Sequence, residues 1–564
     1  MQEKSLQQAQ SWLSEAYDVE TRNNVQALID ENGEELIESF YKDLDFGTGG
    51  MRGIMGVGPN RINRYSIGKA TQGLANTLLE MYPDQDVSVA IAYDCRNNSD
   101  LLARTSAEVL SANGIKVYLF TSLRPTPELS FAVRELGCKS GIVITASHNP
   151  KEYNGYKVYG DDGCQIVSPF DVELIDKVRA LSIEDVNFNV DEDLIFALGE
   201  EMDDTYIERL KTLSLSPEAI KEQRDLPIVF TGIHGTGAVM VPKALKSFGF
   251  SNVMTVASQD VIDGNFPTVH SPNPEEPAAL ELAITLAKEK GAELVMGTDP
   301  DADRVGIAIP NKDGAFVLLN GNQTGSLLVN YLITRWKELG KVKGKEFVAK
   351  TVVTTDLMDV MAKANGVKVY NTLTGFKHIG SLIRELEGKE QFIGGGEESY
   401  GYLAGDFVRD KDAVMSCVLI AEMVAWAKSC GKDLFDLMQD MYMEYGFYLE
   451  DLISITKQGR TGVAEIASMM DDMRKNAPKM IVGEEVVEVI DYLDSAKTGL
   501  PESNVLQLIT NKGTKITARP SGTEPKIKFY FSVQEKLADK SEYDVIRLKL
   551  KEKIANIQSE MNLN

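Results

Sequence analysis

The sequence predicts an α/β fold of three related domains with parallel or mixed sheets, followed by a smaller α+β domain. Short β-branched segments alternate with amphipathic segments along most of the chain, and this alternation starts afresh near residues 226 and 346. The 564 residues leave room for about four domains of roughly 150 residues each. We place the domains at 1–205, 206–322, 323–448 and 449–564.

The first domain shows the alternation most clearly. VSVAIAYD (87–94) predicts a strand, SDLLARTSAEVLSANG (99–114) a helix ended by Gly114, and IKVYLF (115–120) the next strand. GIVITASHNP (141–150) begins as another buried strand and then presents polar side chains. Such an order of elements is typical of a sheet that carries helices on its faces.

The second and third domains repeat this pattern, and the last one departs from it. LPIVFTG (226–232) and ELVMGTD (293–299) predict strands of the second domain, and EFVAKTVVTT (346–355) and QFIGGGE (391–397) predict strands of the third. In the last hundred residues we expect antiparallel strands and a charged terminal helix. These strands are YGFYLEDLISI (445–455), EVVEVID (485–491) and KIKFYFSV (526–533).

Composition argues against several classes of function. The 59 basic and 84 acidic residues give a formal charge of −25, which disfavours binding to nucleic acid or to an anionic membrane. Five scattered cysteines without a CxxC pair predict reduced thiols rather than disulfides or a zinc site. No apolar leader begins the sequence, and the longest apolar run, 413–427, contains Glu422. We therefore expect a buried helix there and a cytoplasmic protein.

Ser147 and His148 stand at the end of a predicted strand, where open α/β sheets bind their ligands. One interpretation is a polar turn closed by Pro150, and the other is a nucleophilic or phosphorylated serine with Lys157 nearby. A Ser-His-Asp triad is not expected, because adjacent residues on an extended backbone point apart and no G-x-S-x-G elbow is present. A lone serine is a weak nucleophile, so a base or a metal must assist it.

The segment GTDPDADRVGIAI (297–309) predicts a divalent-metal site. Asp299, Asp301 and Asp303 alternate in a loop between two apolar strands, and three carboxylates this close repel one another unless a cation holds them. An EF-hand is excluded, because Arg304 stands where that loop requires glycine and Pro310 where it requires glutamate. The site leaves coordination positions for a phosphate oxygen, which suits Mg²⁺.

Three glycine-containing or basic segments suggest a sugar phosphate as ligand, although a structural loop is an equal alternative for each. In GGGEESYG (394–401) the glycines allow close backbone approach, and two polar side chains suit neighbouring sugar hydroxyls. TLTGFKHIG (372–380) and VRDKDA (408–413) add further polar and basic groups. The candidate residues in these segments are Glu397, Ser399, Thr374, Gly375, Lys377, Arg409 and Lys411.

Two more loops gather positive charge in this acidic chain. TARPSGTEPKIKFY (517–530) predicts a phosphate site formed by a guanidinium, hydroxyls and backbone amides, against the alternative of an ordinary basic turn. Its candidate residues are Arg519, Ser521, Gly522, Thr523, Lys526 and Lys528. DFGTGGMRGIMG (45–56) is not a dinucleotide fingerprint, because Arg52 occupies the position of the third glycine. Basic loops in an acidic molecule favour a small phosphorylated substrate.

These motifs together resemble the α-D-phosphohexomutase superfamily, and more closely its phosphoglucomutase members. The motifs are FGTGGMRG, TASHNP, DPDADR, TGFKHIG, GGEESYG and RPSGTEPK, in that order between residues 46 and 526. The resemblance implies a four-domain architecture around a central cleft. It also implies interconversion of sugar 1- and 6-phosphates, with one Mg²⁺ per chain and glucose 1,6-bisphosphate as activator.

The resemblance assigns a role to each motif. Ser147 looks like the serine that carries the transferable phosphate and also contacts the metal, and Asp299, Asp301 and Asp303 look like the other metal ligands. Acid–base and charge-stabilising roles are implied for His148, Arg52, Lys157 and Lys411. Substrate binding is implied for Arg304, Thr374, Gly375, Lys377, Glu397, Ser399, Arg519, Ser521, Gly522, Thr523 and Lys528.

The sequence does not decide which of several related sugar phosphates is the substrate. Glucose phosphate is the leading expectation, and mannose phosphate, a pentose phosphate or glucose-1,6-bisphosphate synthesis are the alternatives. A sugar-phosphate-binding protein without turnover would be a different class, and the intact Ser147 and three aspartates argue against it. We expect a small phosphorylated sugar as partner, no nucleic acid or membrane, and a monomer or homodimer.

Overall fold

The computed structural model describes residues 2–47, 50–457, 459–521 and 526–563. The chain forms two compact units. The first comprises Met1–Leu319, Gly380–Glu387 and Tyr400–Ser429. The second comprises Asn320–Ile379, Gly388–Ser399 and Cys430–Asn564. The four domain boundaries set from the sequence stay a prediction.

The N-terminus forms a helical layer that the sequence pattern did not predict. Its helices are α1 (Gln2–Ser11), α2 (Val19–Glu31) and α3 (Glu34–Phe40). Trp12 stacks on Tyr17 with ring centroids 4.4 Å apart, and Trp12 also meets Phe40 and Tyr65 edge to face. These buried aromatic rings give the layer a small core of its own.

A mixed sheet with helices packed against it follows in the first unit. Its elements are β1 (Gly50–Ile54), α4 (Arg64–Met81), β2 (Ser88–Tyr93), α5 (Ser99–Ala112), β3 (Lys116–Phe120), α6 (Thr126–Glu135), β4 (Ser140–Ile144), β5 (Tyr153–Gly160), α7 (Phe170–Ala180), β6 (Ile195–Leu198) and α8 (Glu200–Lys211). The strand order is β1-β5-β4-β2-β3-β6, with β4, β2, β3 and β6 parallel and β5 antiparallel to both of its neighbours. Gly114, at φ +76°, follows α5 and allows the chain to turn into β3.

A second mixed sheet belongs to the same unit. Its elements are α9 (Pro217–Glu222), β7 (Ile228–Thr231), α10 (Gly237–Phe248), β8 (Val253–Thr255), α11 (Pro277–Lys290), β9 (Leu294–Thr298), β10 (Val305–Pro310) and β11 (Phe316–Leu319). The strand order is β11-β10-β9-β7-β8, with β9, β7 and β8 parallel and β10 antiparallel to both neighbours.

A third α/β segment carries the predicted third repeat. Its elements are α12 (Gly321–Glu338), β12 (Glu346–Thr351), α13 (Leu357–Ala364), β13 (Lys368–Thr372), α14 (Phe376–Leu386), β14 (Gln391–Gly396), β15 (Tyr402–Ala404) and α15 (Ala413–Ser429). In the second unit β12 lies between β13 and β14 and runs parallel to both. The trios β3-β2-β4, β8-β7-β9 and β13-β12-β14 share this arrangement. The three related α/β domains predicted from the sequence are confirmed.

The C-terminal segment is built on an antiparallel sheet, as predicted. Its elements are α16 (Leu434–Tyr445), β16 (Phe447–Thr456), α17 (Gly459–Lys475), β17 (Met480–Ile481), β18 (Glu484–Asp491), α18 (Ser495–Thr498), β19 (Leu506–Thr510), β20 (Lys515–Pro520), β21 (Lys526–Glu535) and α19 (Tyr543–Glu560). The strand order is β16-β21-β20-β19-β18-β17, and each neighbouring pair is antiparallel.

The long apolar run of the sequence is the core helix α15, as predicted. Nearly all of its side chains are buried, including that of Glu422. The Glu422 carboxylate accepts hydrogen bonds from the backbone N–H groups of Leu215 and Ser216, at 2.7 and 3.1 Å, which satisfies its charge inside the protein. Within the described residues no single helix is long and apolar enough to cross a membrane, and only the bent pair α15 and α16 passes that test together.

Candidate active site

Three loops that the sequence singled out follow equivalent strands of the three repeats. They are 145–152 after β4, 299–304 after β9 and 397–401 after β14. Each loop contains a residue other than glycine in the left-handed region: Ser147 at φ +52°, Ala302 at +49° and Tyr400 at +66°. Such residues are uncommon and concentrate at functional sites, because surrounding contacts must hold them there.

Ser147 lies in the first unit, is buried, and points its hydroxyl at a carboxylate. Its Oγ donates a hydrogen bond of 2.7 Å to Asp299 Oδ2 and lies 3.2 Å from His148 Nδ1. The expectation that Ser147 and His148 point apart is therefore wrong. It assumed an extended backbone, whereas the positive φ of Ser147 turns the chain so that both side chains meet.

Asp299, Asp301 and Asp303 form a buried cluster that can hold a metal ion. One carboxylate oxygen from each lies within 4.8 Å of the others. Asp301 Oδ1 and Asp303 Oδ1 are buried and accept no hydrogen bond from any residue in the described ranges. Buried carboxylate oxygens need a partner, and an all-oxygen set suits a hard divalent cation. The residues present thus fit a divalent metal.

Two lysines flank this cluster. Lys157 Nζ lies 2.8 Å from Asp301 Oδ2, and Lys411 Nζ lies 3.1 Å from Asp303 Oδ2. Burial raises the pKa of Asp299 well above its usual range, and the two neighbouring carboxylates raise it further. Burial acts in the same direction on the pKa of Asp301, but Lys157 outweighs it and the pKa is lowered. The lysines therefore offset part of the repulsion among the carboxylates.

Two predicted arginines of the first unit, Arg52 and Arg304, bind the Ser147 loop and the aspartate cluster. Arg52 is exposed, and its Nη1 donates to Asn149 Oδ1 at 2.8 Å, beside the Ser147 loop. Arg304 Nη1 donates to Glu275 Oε1 at 2.8 Å, and its backbone N–H donates to Asp299 Oδ1 at 3.0 Å. Burial and the two arginines lower the pKa of His148 well below its usual range.

The predicted sugar-reading residues lie in the second unit. The backbone N–H of Gly375, at φ +109°, donates to Glu397 Oε1 at 2.9 Å and joins two of the predicted loops. Three residues close in sequence to Gly375 or Glu397 are partly buried, namely Thr374, Lys377 and Ser399. Arg409 is buried in the first unit, where its guanidinium pairs with Glu387 at 3.0 Å.

The predicted phosphate site also lies in the second unit. Arg519 on β20 and Lys528 on β21 are direct cross-strand partners, so two positive side chains share one face of the sheet. Ser521 donates its backbone N–H to Lys526 O at 2.7 Å. Burial, then Lys377 and Arg519, lower the pKa of His378 to about 4. Gly522 and Thr523 lie outside the described residues.

Sequence reasoning missed three residues that support the cluster in the first unit. Thr126 Oγ1 donates to Asp301 Oδ2 at 2.9 Å, and Asp94 and Arg96 bind the Ser147 loop. Asp94 and Arg96 directly follow β2, so the position of polar residues at a strand end could have identified them. Thr126 carried no such signal, because its partner lies far along the chain.

Comparison with known proteins places the chain in a family. Models described as phosphoglucomutase/phosphomannomutase alpha/beta/alpha domains I, II and III match residues 43–184, 204–314 and 320–445. The chain belongs to the phosphoglucomutase/phosphomannomutase family. Within it, the Staphylococcus haemolyticus phosphoglucomutase is 40% identical over 511 residues, covering 88% of this chain and 91% of that protein. A Staphylococcus epidermidis phosphoglucomutase is 38% identical over 541 residues, with 93% and 96% covered.

Solved structures agree on the fold. A putative phosphomannomutase from Thermus thermophilus aligns with a TM-score of 0.69 at 23% identity, covering 88% of this chain and 96% of that one. The Paramecium phosphoglucomutase pp63/parafusin in its open form aligns with a TM-score of 0.69 at 18% identity, with 92% and 96% covered. The family resemblance stated from the motifs is confirmed, and the chain is an isomerase of this phosphohexomutase type.

Proposed function

We propose that this chain is a phosphoglucomutase that interconverts glucose 1-phosphate and glucose 6-phosphate through a phosphate carried on Ser147. One observation carries the proposal: the buried Ser147 hydroxyl lies 2.7 Å from Asp299, a member of the three-carboxylate cluster. The curated relatives named phosphoglucomutase, at 38–40% identity over most of the chain, support glucose as the sugar.

The reaction consists of two phosphoryl transfers in opposite directions. A free hydroxyl of the sugar phosphate attacks the phosphorus on Ser147, its P–O bond to Oγ breaks, and a sugar bisphosphate forms. The bisphosphate then reorients and Ser147 Oγ attacks its other phosphate. The P–O bond between that phosphate and the sugar breaks, which restores the phosphorylated serine and releases the isomeric sugar phosphate. His148, whose Nδ1 lies 3.2 Å from Oγ, takes the proton that the attacking sugar hydroxyl loses and gives it to Oγ as the P–O bond breaks; the second transfer reverses these proton movements.

Positioning and charge neutralisation supply most of the rate enhancement in such a reaction. Mg²⁺ held by Asp299, Asp301, Asp303 and an oxygen on Ser147 would neutralise charge on the transferring group. Lys157 and Lys411 already lie within 3.1 Å of carboxylate oxygens of Asp301 and Asp303 and add positive charge to this cluster. Arg52 and Arg304 serve as partners for phosphate oxygens near Ser147.

The second unit, taken by itself, carries groups suited to binding sugar hydroxyls and a phosphate. The Gly375 N–H fixes the Glu397 carboxylate, which together with Ser399 accepts hydrogen bonds from sugar hydroxyls. Like charges on cross-strand partners repel, so an anion such as a phosphate bridges Arg519 and Lys528 favourably. From the family resemblance we assign further contacts to Thr374, Lys377, Ser521, Gly522 and Thr523.

The same proposal includes the location, oligomeric state, metal and activator of the enzyme. The enzyme works in the cytoplasm as a monomer or homodimer, uses one Mg²⁺ per chain, and needs glucose 1,6-bisphosphate as activator to phosphorylate Ser147. The alternatives in substrate, namely mannose and pentose phosphates, share the same chemistry and are separated by assay.

The test is a mutase assay with Mg²⁺ and a trace of glucose 1,6-bisphosphate on glucose, mannose, ribose and deoxyribose 1-phosphates. Wild-type protein should turn over the glucose ester fastest, and mass spectrometry should find phosphate on Ser147. Ser147→Ala should be inactive, whereas Ser106→Ala, which removes a buried hydroxyl bonded to Leu102 O at 3.0 Å within α5, should retain activity. Activity in Ser147→Ala would overturn the mechanism, and fastest turnover of another sugar would overturn the substrate assignment.

A further inference from the structure

A buried arginine that is not among the predicted site residues donates hydrogen bonds to the loop that carries Ser147. Arg96 follows β2 and its side chain is fully buried. Its Nη1 donates to Pro150 O at 2.8 Å and to Tyr153 O at 2.9 Å. Its Nη2 donates to Ser147 O at 2.6 Å and also to Asn149 O. One guanidinium therefore binds four carbonyl groups of a single short segment.

Asp94 joins this arginine to the start of the same loop. Its Oδ2 lies 3.4 Å from Arg96 Nε and accepts a hydrogen bond of 2.6 Å from Thr145 Oγ1. Thr145 Oγ1 in turn accepts the backbone N–H of Ser147 at 2.8 Å. Ser99 Oγ donates to Asp94 Oδ1 at 2.8 Å and fixes the carboxylate from the other side. The backbone of Ser147 is thus bound at both its N–H and its carbonyl.

These contacts explain how Ser147 keeps an unfavourable backbone conformation. A residue with a Cβ at φ +52° needs surrounding contacts that determine its position, and Asp94 and Arg96 supply them. The direction of the Cα–Cβ bond of Ser147 follows from this conformation. Since Oγ must lie 2.7 Å from Asp299, a small rotation of the loop would move the reacting oxygen away from the carboxylate cluster.

We propose that Arg96, held by Asp94, is a positioning residue for phosphoryl transfer. It acts through the backbone of the Ser147 loop, because its guanidinium donates to three carbonyl groups within that loop and to the carbonyl of Tyr153, which directly follows it. The inference rests on the proposed role of Ser147 as phosphate carrier. It assigns to the Asp94–Arg96 pair the task of fixing the trajectory along which Ser147 Oγ and the sugar hydroxyl exchange phosphate.

The variants Arg96→Lys and Arg96→Gln test this. A misplacement of about 1 Å costs on the order of 100-fold in rate, so Arg96→Gln should lower kcat about 100-fold while KM changes by less than about threefold. Arg96→Lys should lose about tenfold, because a single ammonium cannot bind four carbonyls in the geometry of a planar fork. A rapid-quench measurement should locate the loss in phosphate transfer from labelled Ser147 to glucose 1-phosphate.

Arg61→Gln is the matched control. Arg61 is also buried, binds two backbone carbonyls, those of Glu38 and Asn60, and pairs with Glu35 at 2.8 Å, and none of these three partners belongs to the Ser147 loop. It should change kcat by less than about threefold. If Arg96→Gln does not fold, Thr145→Val provides a milder variant, since it removes only the hydroxyl that links Asp94 to the Ser147 N–H. Its kcat should fall with KM preserved.

Two outcomes would overturn the inference. One is a folded Arg96→Lys or Thr145→Val enzyme with wild-type kcat and transfer rate. The other is a fall in kcat for Arg96→Lys that is fully accounted for by a smaller fraction of folded protein, as measured by denaturation. Ser147→Ala separates this inference from the proposed function. If Ser147→Ala is active, the function fails; if it is inactive while the Arg96 variants are normal, only the positioning role fails.

Discussion

Thr126→Val should weaken divalent-metal binding without disturbing the fold. Valine keeps the branched shape of threonine, and the backbone N–H of residue 126 still donates to Asp301 O, at 2.9 Å. The substitution removes only the hydrogen bond of 2.9 Å from Thr126 Oγ1 to Asp301 Oδ2. Lys157 Nζ, at 2.8 Å, remains as the other donor to that oxygen. Asp301 thereby loses one of the donors that fix the orientation of its carboxylate.

The expected magnitude follows from these contacts. A hydrogen bond to a charged group contributes about 1.5–3 kcal/mol, and removing a group that orients a metal ligand typically costs about 10–100-fold in affinity. Because Lys157 remains, we expect the lower part of that range, about 10–30-fold, or roughly 1.4–2 kcal/mol.

The assay is a calorimetric titration of Mg²⁺ into dephosphorylated protein, so that the readout does not depend on turnover. Thr77→Val is the matched control, because its buried hydroxyl donates to Gly73 O, at 2.8 Å, within α4. Its Mg²⁺ affinity should equal that of the wild type. An affinity for Thr126→Val that is unchanged or higher would refute the reasoning, since the hydroxyl would then compete with the metal rather than orient its ligand.

Three further predictions concern buried charge. Glu422→Gln should lower the free energy of unfolding by about 1.5–3 kcal/mol in urea titrations, since the carboxylate binds backbone N–H groups inside the core. Burial raises the pKa of Glu128 well above its usual range, so the unfolded chain loses its proton first as pH rises. Glu128→Gln should therefore gain stability relative to wild type with rising pH, and parallel pH–stability curves would contradict this. The pKa of His378, about 4 because of burial, Lys377 and Arg519, should rise when a sugar phosphate binds and offsets that positive charge. Histidine NMR titrations with and without glucose 6-phosphate measure this shift, and an unchanged pKa would argue against phosphate binding near Arg519.

The sequence by itself determined the strands, the repeat and the chemistry of the loops. Apolar β-branched runs form buried strands wherever helices cover both faces of a sheet, which is a local property of the residues. Glycine and charge patterns then marked the loops at the strand ends. The metal-site aspartates, the Ser147 loop and the basic residues Arg519 and Lys528 could all be named in this way, whereas the cross-strand pairing of those two basic residues came from the structure.

Tertiary structure decided how the loops are held and which groups meet. The contacts of Thr126 and Lys157 with Asp301 join residues 175 and 144 positions apart, and Lys411 reaches Asp303 from later in the chain. No local pattern encodes such pairs, because they depend on which strand ends and helix starts the fold brings together. The contact of Ser147 with its neighbour His148 was misjudged for a related reason. Its backbone conformation is imposed by the buried pair of Asp94 and Arg96, some fifty residues earlier in the chain, and not by its own sequence.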